Sequence, residues 1–276
     1  MLPYWDSIER IIIESDVLLE VLDARLIELS RNDEIERMIK EIDRPVIFVI
    51  NKIDLVTRKS IQDEIDKLSK DGLVAFVSSK NKKSGKILMS KIKQLFEKRG
   101  KRPVDYKLMK RPTPEYREAK ADIVVGILGY PNVGKSSIIN LLAHKIKVKV
   151  SKKAGTTHGV HWINATDEIK LIDSPGVIPL AEDDDLRYGL IGARDTEKLR
   201  NPSLVADKII KMFMKGNKKA FENFYNIKLT KEEEDYESII EKLGRKKSFL
   251  ARGNKVDEHR TVVVIIKDWQ QGKLKL

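Results

Sequence analysis

The first hundred residues alternate between short apolar runs and segments with apolar residues at helical spacing. Runs typical of buried strands lie at residues 17–22, 46–50 and 73–77. Apolar positions recur every three to four residues in segments 3–14, 31–42, 58–70 and 84–98. Buried strands that alternate with helices predict a parallel α/β sheet.

The pattern changes twice further along the chain. Residues 99–120 are rich in Lys, Arg and Pro with little periodicity, which predicts a linker. Further strands are predicted at residues 123–128, 159–165 and 168–172, with a glycine loop and a helix over 135–143 after the first of them. Beyond Gly176 the spacing is helical. We therefore expect an α/β domain over residues 1–178 and a small all-helical domain over 179–276.

Composition narrows the class of protein. The chain has 276 residues, no cysteine and no apolar run near the roughly 20 residues that cross a bilayer. The missing cysteines exclude disulfides, Cys-ligated zinc and iron–sulfur clusters. The beginning of the chain lacks a secretory pattern, so we expect a cytoplasmic protein that does not enter a membrane.

The charge balance points to a polyanionic partner. Lys and Arg number 54 against 42 Asp and Glu, a net charge of +12. Such an excess attracts nucleic acid, although Lys-rich surfaces also occur where ion-pair networks stabilise thermophilic proteins.

The segment Gly129–Ser136 matches the phosphate-binding P-loop pattern between a predicted strand and a helix. Its backbone N–H groups and the helix N-terminus suit a phosphate. Lys135 can reach the β- and γ-phosphates, and the Ser136 hydroxyl can bind Mg²⁺. The predicted nucleotide-binding residues of this loop are Asn132, Val133, Gly134, Lys135, Ser136 and Ser137.

Two downstream segments fit the same site. Asp173 ends an apolar strand and can hold Mg²⁺ through a water, while the Gly176 N–H can contact the γ-phosphate. Thr156 and Thr157 lie between the two segments, where a threonine hydroxyl could bind Mg²⁺ while the γ-phosphate is present. An ordinary loop remains the alternative for the two threonines.

A base-recognition segment precedes the P-loop. Asn51, Lys52 and Asp54 come after a predicted strand, and the carboxylate of Asp54 can accept the N1–H and the 2-amino group of guanine. Adenine would leave that carboxylate unmatched. The stem of Lys52 can cover the base, and Asn51 can connect its strand to the P-loop. Backbone and side chains of Ser78, Ser79 and Lys80, after the next strand, suit the guanine O6.

Together these segments resemble the five signature motifs of Ras-like GTPases, in a changed order. The base segments come first and the P-loop, the threonines and Asp173–Gly176 come later, an order similar to that of circularly permuted GTPases of the YlqF/RbgA type. Asp23-Ala24-Arg25 resembles a further motif of that group. The resemblance implies a permuted P-loop GTPase domain, GTP and GDP as ligands, Mg²⁺ as cofactor and a helical tail.

The resemblance also bears on catalysis and metal use. Lys135, Thr157 and Gly176 take the catalytic positions. Val177 replaces the glutamine that orients water in Ras-like enzymes, so we expect slow intrinsic hydrolysis that a partner stimulates. Asn132 resembles the asparagine by which related GTPases hold K⁺, with Thr156 folding around the ion. A loop-capping role for Asn132 is the alternative.

The resemblance implies a role in maturation of the large ribosomal subunit, as a monomer that binds rRNA. The basic residues 242–252 would supply phosphate contacts. A signalling switch that acts on protein effectors without RNA is the alternative, and an ATP-using enzyme is opposed by Asp54. Residues 262–266 favour a strand by propensity, but resemblance to the family's helical tail predicts a helix, with Trp269 in the core.

Overall fold

The computed structural model describes residues 3–102, 122–143, 161–174 and 184–276. The chain divides into two compact units. The first comprises Met1–Ile53 and Arg58–Ala181, and the second comprises Asp54–Thr57 and Glu182–Leu276. The second unit thus includes four residues that the sequence had placed in the α/β domain. In the described part of the chain no helix is both long and apolar enough to cross a membrane.

The first unit contains a six-stranded sheet. Its strands are β1 (Val17–Asp23), β2 (Val46–Asn51), β3 (Leu73–Phe76), β4 (Ile123–Leu128), β5 (His161–Asn164) and β6 (Ile169–Asp173). Their order is β3-β2-β1-β4-β6-β5, and every neighbouring pair is parallel except β5 with β6. The mostly parallel sheet predicted from the alternating pattern is confirmed.

Six helices accompany this sheet in the described residues. They are α1 (Pro3–Glu14), α2 (Ile27–Ser30), α3 (Asp33–Glu41), α4 (Gln62–Asp71), α5 (Lys82–Arg99) and α6 (Lys135–Leu142). Helix α3 begins where the Asn32 side chain accepts a hydrogen bond from the Ile35 N–H, a cap that satisfies one exposed donor. Helix α2 was not predicted, and the helix predicted from residue 58 starts as a 3-10 turn.

The core of the first unit surrounds the central strands. Every residue of β1 and β4 is buried, so elements cover both faces of these strands. Gly126 in β4 lets α1 approach closely, because an added Cβ would lie 2.8 Å from the Ile11 side chain. One apolar cluster joins α1 and α3 to the sheet; its buried members are Ile8, Ile11, Ile12, Leu18, Ile35, Ile39, Val124, Leu128 and Ile172.

The second unit is helical. Its helices are α7 (Asp185–Ile191), α8 (Pro202–Gly216), α9 (Lys218–Tyr225), α10 (Tyr236–Lys246) and α11 (Glu258–Gln270). Asn201, Asn217, Asp235 and Asp257 cap the starts of α8 to α11 with their side chains. Trp269 is fully buried, packs edge-on against Phe213 and donates its indole N–H to the Leu190 carbonyl at 2.8 Å.

Residues 262–266 lie in α11, as the resemblance predicted, although β-branched residues favour strands. Val262, Ile265 and Ile266 are fully buried at helical spacing, so core packing outweighs local propensity. A bridge between Leu250 and Val256 closes a short hairpin that the sequence did not predict. Most of the predicted linker over 99–120 lies outside the described residues.

Candidate nucleotide-binding site

The candidate site residues of the first unit lie at one edge of the sheet. The register pairs Asp23 at the end of β1 with Asn51 at the end of β2, and Ile127 in β4 with Asp173 at the end of β6. The carboxyl ends of neighbouring parallel strands meet at the same edge, where open α/β sheets bind ligands. Residues far apart in sequence are therefore brought together here.

The P-loop requires its glycines. Gly129 has φ 138° and Gly134 has φ 106°, a backbone region that side chains rarely adopt. A Cβ on Gly129 would lie 2.7 Å from the Val21 carbonyl oxygen, and one on Gly134 would collide with the Asn51 amide nitrogen. Asn132 also has a positive φ, of 62°. The loop thus packs its backbone directly against β1 and the end of β2.

Lys135 lies in the first turn of α6 and is buried. Its ammonium donates hydrogen bonds to the carbonyls of Gly129 at 2.8 Å and Tyr130 at 2.9 Å. Burial lowers the pKa of Lys135 to about 8, although the negative charge of Asp173 acts in the opposite direction. The lysine is therefore held inside the loop, at the position where a phosphate would meet it.

Asn51 connects the base segment to the P-loop. Its side-chain Nδ2 donates a hydrogen bond to the Val133 carbonyl at 2.9 Å, and the residue is 1% exposed. The sequence separation of this contact is 82 residues. It is the connection expected from the sequence, and it brings the two motifs into one site.

The buried carboxylate of Asp23 holds Lys52, a contact that the sequence motifs did not predict. The Lys52 ammonium lies 2.7 Å from Asp23 Oδ2, and Arg25 pairs with the same carboxylate at 2.8 Å. Burial disfavours the charged form of Asp23, but the positive charges of Arg25 and Lys52 outweigh burial and hold its pKa far below the usual range. Lys52 itself has φ 62°.

This anchoring explains the Asp23-Ala24-Arg25 segment. The signal available in the sequence was an acidic residue directly after a buried strand, but nothing there identified its partner. The structure shows that the segment orients the lysine whose stem was predicted to cover the base.

Asp54 is exposed, as base recognition requires. The residue before it, Ile53, donates its N–H to the Val77 carbonyl at 3.3 Å. Ser78 is buried, whereas Ser79 and Lys80 are exposed. Ser84, which the sequence did not single out, braces this turn because its hydroxyl donates to the Ser78 carbonyl at 2.9 Å.

The remaining candidates are only partly described. Asp173 is 1% exposed at the end of β6, and Ser136 and Ser137 are half-buried in the first turn of α6. Thr156, Thr157 and Gly176 lie outside the described residues. Across the described ranges, no cluster of three or more His, Asp or Glu side chains could hold a metal ion by itself.

The site combines a glycine loop ahead of a helix with an Asn-Lys-x-Asp segment that precedes this loop in the chain. This combination defines the class of circularly permuted P-loop GTPases. The profile of the 50S ribosome-binding GTPase family matches residues 124–255. Ribosome biogenesis GTPase A of Priestia megaterium is 30% identical over 264 residues, covering 94% of this chain and 86% of that protein. The chain belongs to the YlqF/RbgA-type family of circularly permuted GTPases.

Other relatives agree with this placement. An uncharacterised GTP-binding protein of Methanocaldococcus jannaschii is 39% identical over 272 residues, covering 99% of this chain and 66% of that protein. The structure of YlqF from T. maritima bound to GNP has a TM-score of 0.58 at 19% identity, covering 96% of this chain and 92% of that one, which supports the fold. The chain spans 47% to 66% of the length of several curated relatives.

Proposed function

We propose that this protein binds GTP and GDP, hydrolyses GTP to GDP and phosphate, and acts as a switch in assembly of the large ribosomal subunit through contacts with rRNA. The observation that carries the proposal is the hydrogen bond from Asn51 to Val133. It links the segment suited to guanine with the loop suited to phosphates, so one nucleotide can occupy both.

Guanine selectivity is explained by the exposed carboxylate of Asp54. It accepts from the N1–H and 2-amino groups of guanine, whereas adenine presents no matching pair of donors. Lys52, held at its far end by Asp23, lays its aliphatic stem along the base. Ser78 to Lys80 complete the base pocket in this proposal.

The side chains at the proposed phosphate site are suited to binding Mg²⁺. The Ser136 hydroxyl and the buried Asp173 carboxylate are hard oxygen ligands, and Mg²⁺ is commonly bound by one or two carboxylates together with substrate phosphates. The bound ion would neutralise charge on the phosphates. Asn132 would hold K⁺ against the same phosphates, with Thr156 helping the loop fold around that ion, and Thr157 would bind Mg²⁺.

Hydrolysis in this proposal is slow until a partner stimulates it. Val177 stands where Ras-like enzymes have the glutamine that orients the attacking water, and a valine side chain cannot form that hydrogen bond. Lys135 stabilises charge on the transferred phosphate, and Thr157 and Gly176 take the remaining catalytic positions. The protein works as a monomer in the cytoplasm.

In this proposal the RNA contact belongs to the second unit, at or next to the basic residues 242–252. Lys242 pairs with Glu233 and Arg245 with Glu241, both at 2.6 Å, so these charges are compensated locally. Lys246, Arg252 and Lys255 are exposed and form no ion pair with any described residue. These exposed cations support phosphate contacts at the hairpin between α10 and α11 in this proposal.

The variant Asp54→Asn tests the proposed recognition of guanine. The amide presents a donor where the carboxylate presented an acceptor, so we expect GDP affinity to fall at least about 100-fold and xanthosine diphosphate binding to appear. Isothermal titration with GDP, xanthosine diphosphate and ADP measures both changes. Asp63→Asn on α4 is the matched control and should bind like the wild type. Unchanged GDP affinity in Asp54→Asn would refute guanine recognition by this residue.

The ribosomal claim is tested by cosedimentation with large subunits in GDP and in a GTP analogue, across a salt series. Replacing Arg252 and Lys255 by Ala should weaken binding and lower the salt slope by about two. Lys208→Ala with Lys215→Ala removes the same charge from α8 and should leave the slope unchanged. Salt-independent binding, or none in either nucleotide state, would favour the effector-binding alternative.

A further inference from the structure

The backbone of the second unit turns after α11 and returns to residues 54–57, which belong to the same unit. Gly272 makes the turn with φ 67°, and a Cβ there would lie 3.1 Å from the Leu55 side chain. Leu276 donates its N–H to the Leu55 carbonyl at 2.9 Å. Leu55 is 3% exposed, and Leu274 in the returning segment is 1% exposed. The segment Gly272–Leu276 therefore holds Leu55 by its side chain and its backbone.

Leu55 is the residue next to Asp54 in a single 3-10 turn, Ile53–Leu55. The turn is anchored on both sides of the aspartate: the Ile53 N–H bonds to Val77, and the Leu55 carbonyl bonds to Leu276. Ile53 and Val77 belong to the first unit, whereas Leu55 and Leu276 belong to the second. Asp54 therefore lies between two backbone hydrogen bonds, one made by the residue before it and one by the residue after it.

We infer that the segment Gly272–Leu276 positions Asp54 for guanine recognition by holding Leu55. The inference rests on the proposed function, because it concerns the geometry of the same base site. A carboxylate that accepts two hydrogen bonds from one base needs both oxygens in place, and a small displacement removes one of them.

The contact therefore gives residues 272–276 a route to the neighbouring residue Asp54. A partner that binds the second unit and displaces residues 272–276 alters guanine affinity, and guanine binding alters affinity for that partner by the same factor. This route is separate from the γ-phosphate, so it acts on GDP and GTP alike.

Two variants and two matched controls test the contact. Gly272→Ala adds a Cβ against Leu55 at a positive φ, and Gly253→Ala adds one at φ 78° with no atom within 4 Å. Leu276→Pro removes the N–H that bonds to Leu55, and Leu276→Ala keeps that N–H. Each protein is titrated with GDP, inosine diphosphate, ADP and inorganic pyrophosphate. Inosine lacks the 2-amino group, so the preference for GDP over inosine diphosphate reports on the second hydrogen bond to Asp54.

We expect Gly272→Ala and Leu276→Pro to lose about tenfold of the GDP preference over inosine diphosphate, the factor for one hydrogen bond to a charged group. Pyrophosphate affinity stays at the wild-type value, which also shows that the P-loop is folded. The two control variants keep the full preference.

An unchanged GDP preference in both Gly272→Ala and Leu276→Pro would overturn the positioning role while leaving the proposed function intact. A wild-type chain without preference for GDP over ADP would instead overturn the proposed function, and this inference with it.

Discussion

Lys135 shows at the scale of one residue how burial changes a side chain that is proposed to bind phosphate. Two carbonyls of its own loop hold the ammonium, and burial brings its pKa down to about 8. A phosphate favours the protonated form, so binding raises this pKa again. The proposed role of Lys135 therefore links the protonation state of this lysine to nucleotide binding.

This linkage predicts that GDP affinity decreases as pH rises above about 8, by up to tenfold per pH unit. Above that pH the free protein has lost the proton that the complex retains, so binding takes up a proton. Titrations between pH 7 and 9 in buffers of different ionisation enthalpy measure the uptake. Lys135→Met is the control, since any slope that it retains belongs to the guanine base. Affinity that is flat over this range in the wild type would contradict the assignment.

The lowered pKa of Lys135 also makes the free energy of unfolding depend on pH. Between pH 8 and 10.5 the unfolded chain keeps the proton on this lysine and the folded chain does not. The unfolded state then binds more protons, so the contribution of Lys135 to the free energy of unfolding rises with pH in this window.

At the scale of elements, one buried cluster connects the ends of two strands. Asp23 ends β1, Lys52 comes directly after β2, and Arg25 lies in the turn after β1; the Arg25 and Asp23 side chains are 1% and 0% exposed. A third contact anchors the strand end, because the Asp23 N–H donates to the Ser30 hydroxyl at 3.0 Å. The cluster sets the path of the chain into the base segment.

Removing the charge of Asp23 should therefore destabilise the fold as well as the site. Asp23→Asn leaves Arg25 buried without its counterion, and we expect the free energy of unfolding to fall by about 3 kcal/mol. Urea unfolding measures the change. Asp207→Asn breaks the exposed pair with Lys211 and should change stability by less than about 0.5 kcal/mol. Equal effects of the two substitutions would show that burial of the cluster contributes nothing.

At the scale of the whole molecule, the permuted order determines which part of the chain follows Asp173–Gly176, the segment predicted to contact Mg²⁺ and the γ-phosphate. The chain that leaves Asp173–Gly176 runs on into the segment that leads to α7, rather than back into the sheet. Order–disorder changes of switch segments on loss of the γ-phosphate are a common device of GTPases. The sequence order thus offers a second route, through the γ-phosphate, from nucleotide state to the helical unit.

We expect amide hydrogen exchange in residues 184–200 to differ between the GDP complex and the complex with a GTP analogue. Movement of the preceding segment should change protection at the start of α7 first, since it is nearest along the chain. The strands β1 and β2 serve as the internal reference and should exchange equally in both states. Identical protection of residues 184–276 in the two complexes would rule out this route.

Much of the site could be predicted from the sequence because its motifs are local. The P-loop glycines, Lys135 and the Asn51–Asp54 segment are recognisable from neighbouring residues alone, since each serves a short backbone geometry. Apart from the contact of Asn51 with the P-loop, the partners of these motifs could not be predicted. No local pattern predicts the contacts of Asp23 with Lys52 and of Leu276 with Leu55, because the partners are far apart along the chain. The contact of Ser84 with Ser78 spans six residues, but no motif indicates it.

The sequence by itself determined the alternation of strands and helices, the order of the motifs and the family. These depend on periodicity, turn chemistry and short-range geometry, which operate within a few residues. Only the tertiary structure decided that Lys242 and Arg245 are compensated and that Asp54 begins a segment of the helical unit, and it showed why residues 262–266 are helical against their strand propensity. The reason is physical: burial and charge compensation depend on which distant residues pack together, and these contacts can outweigh the local preference.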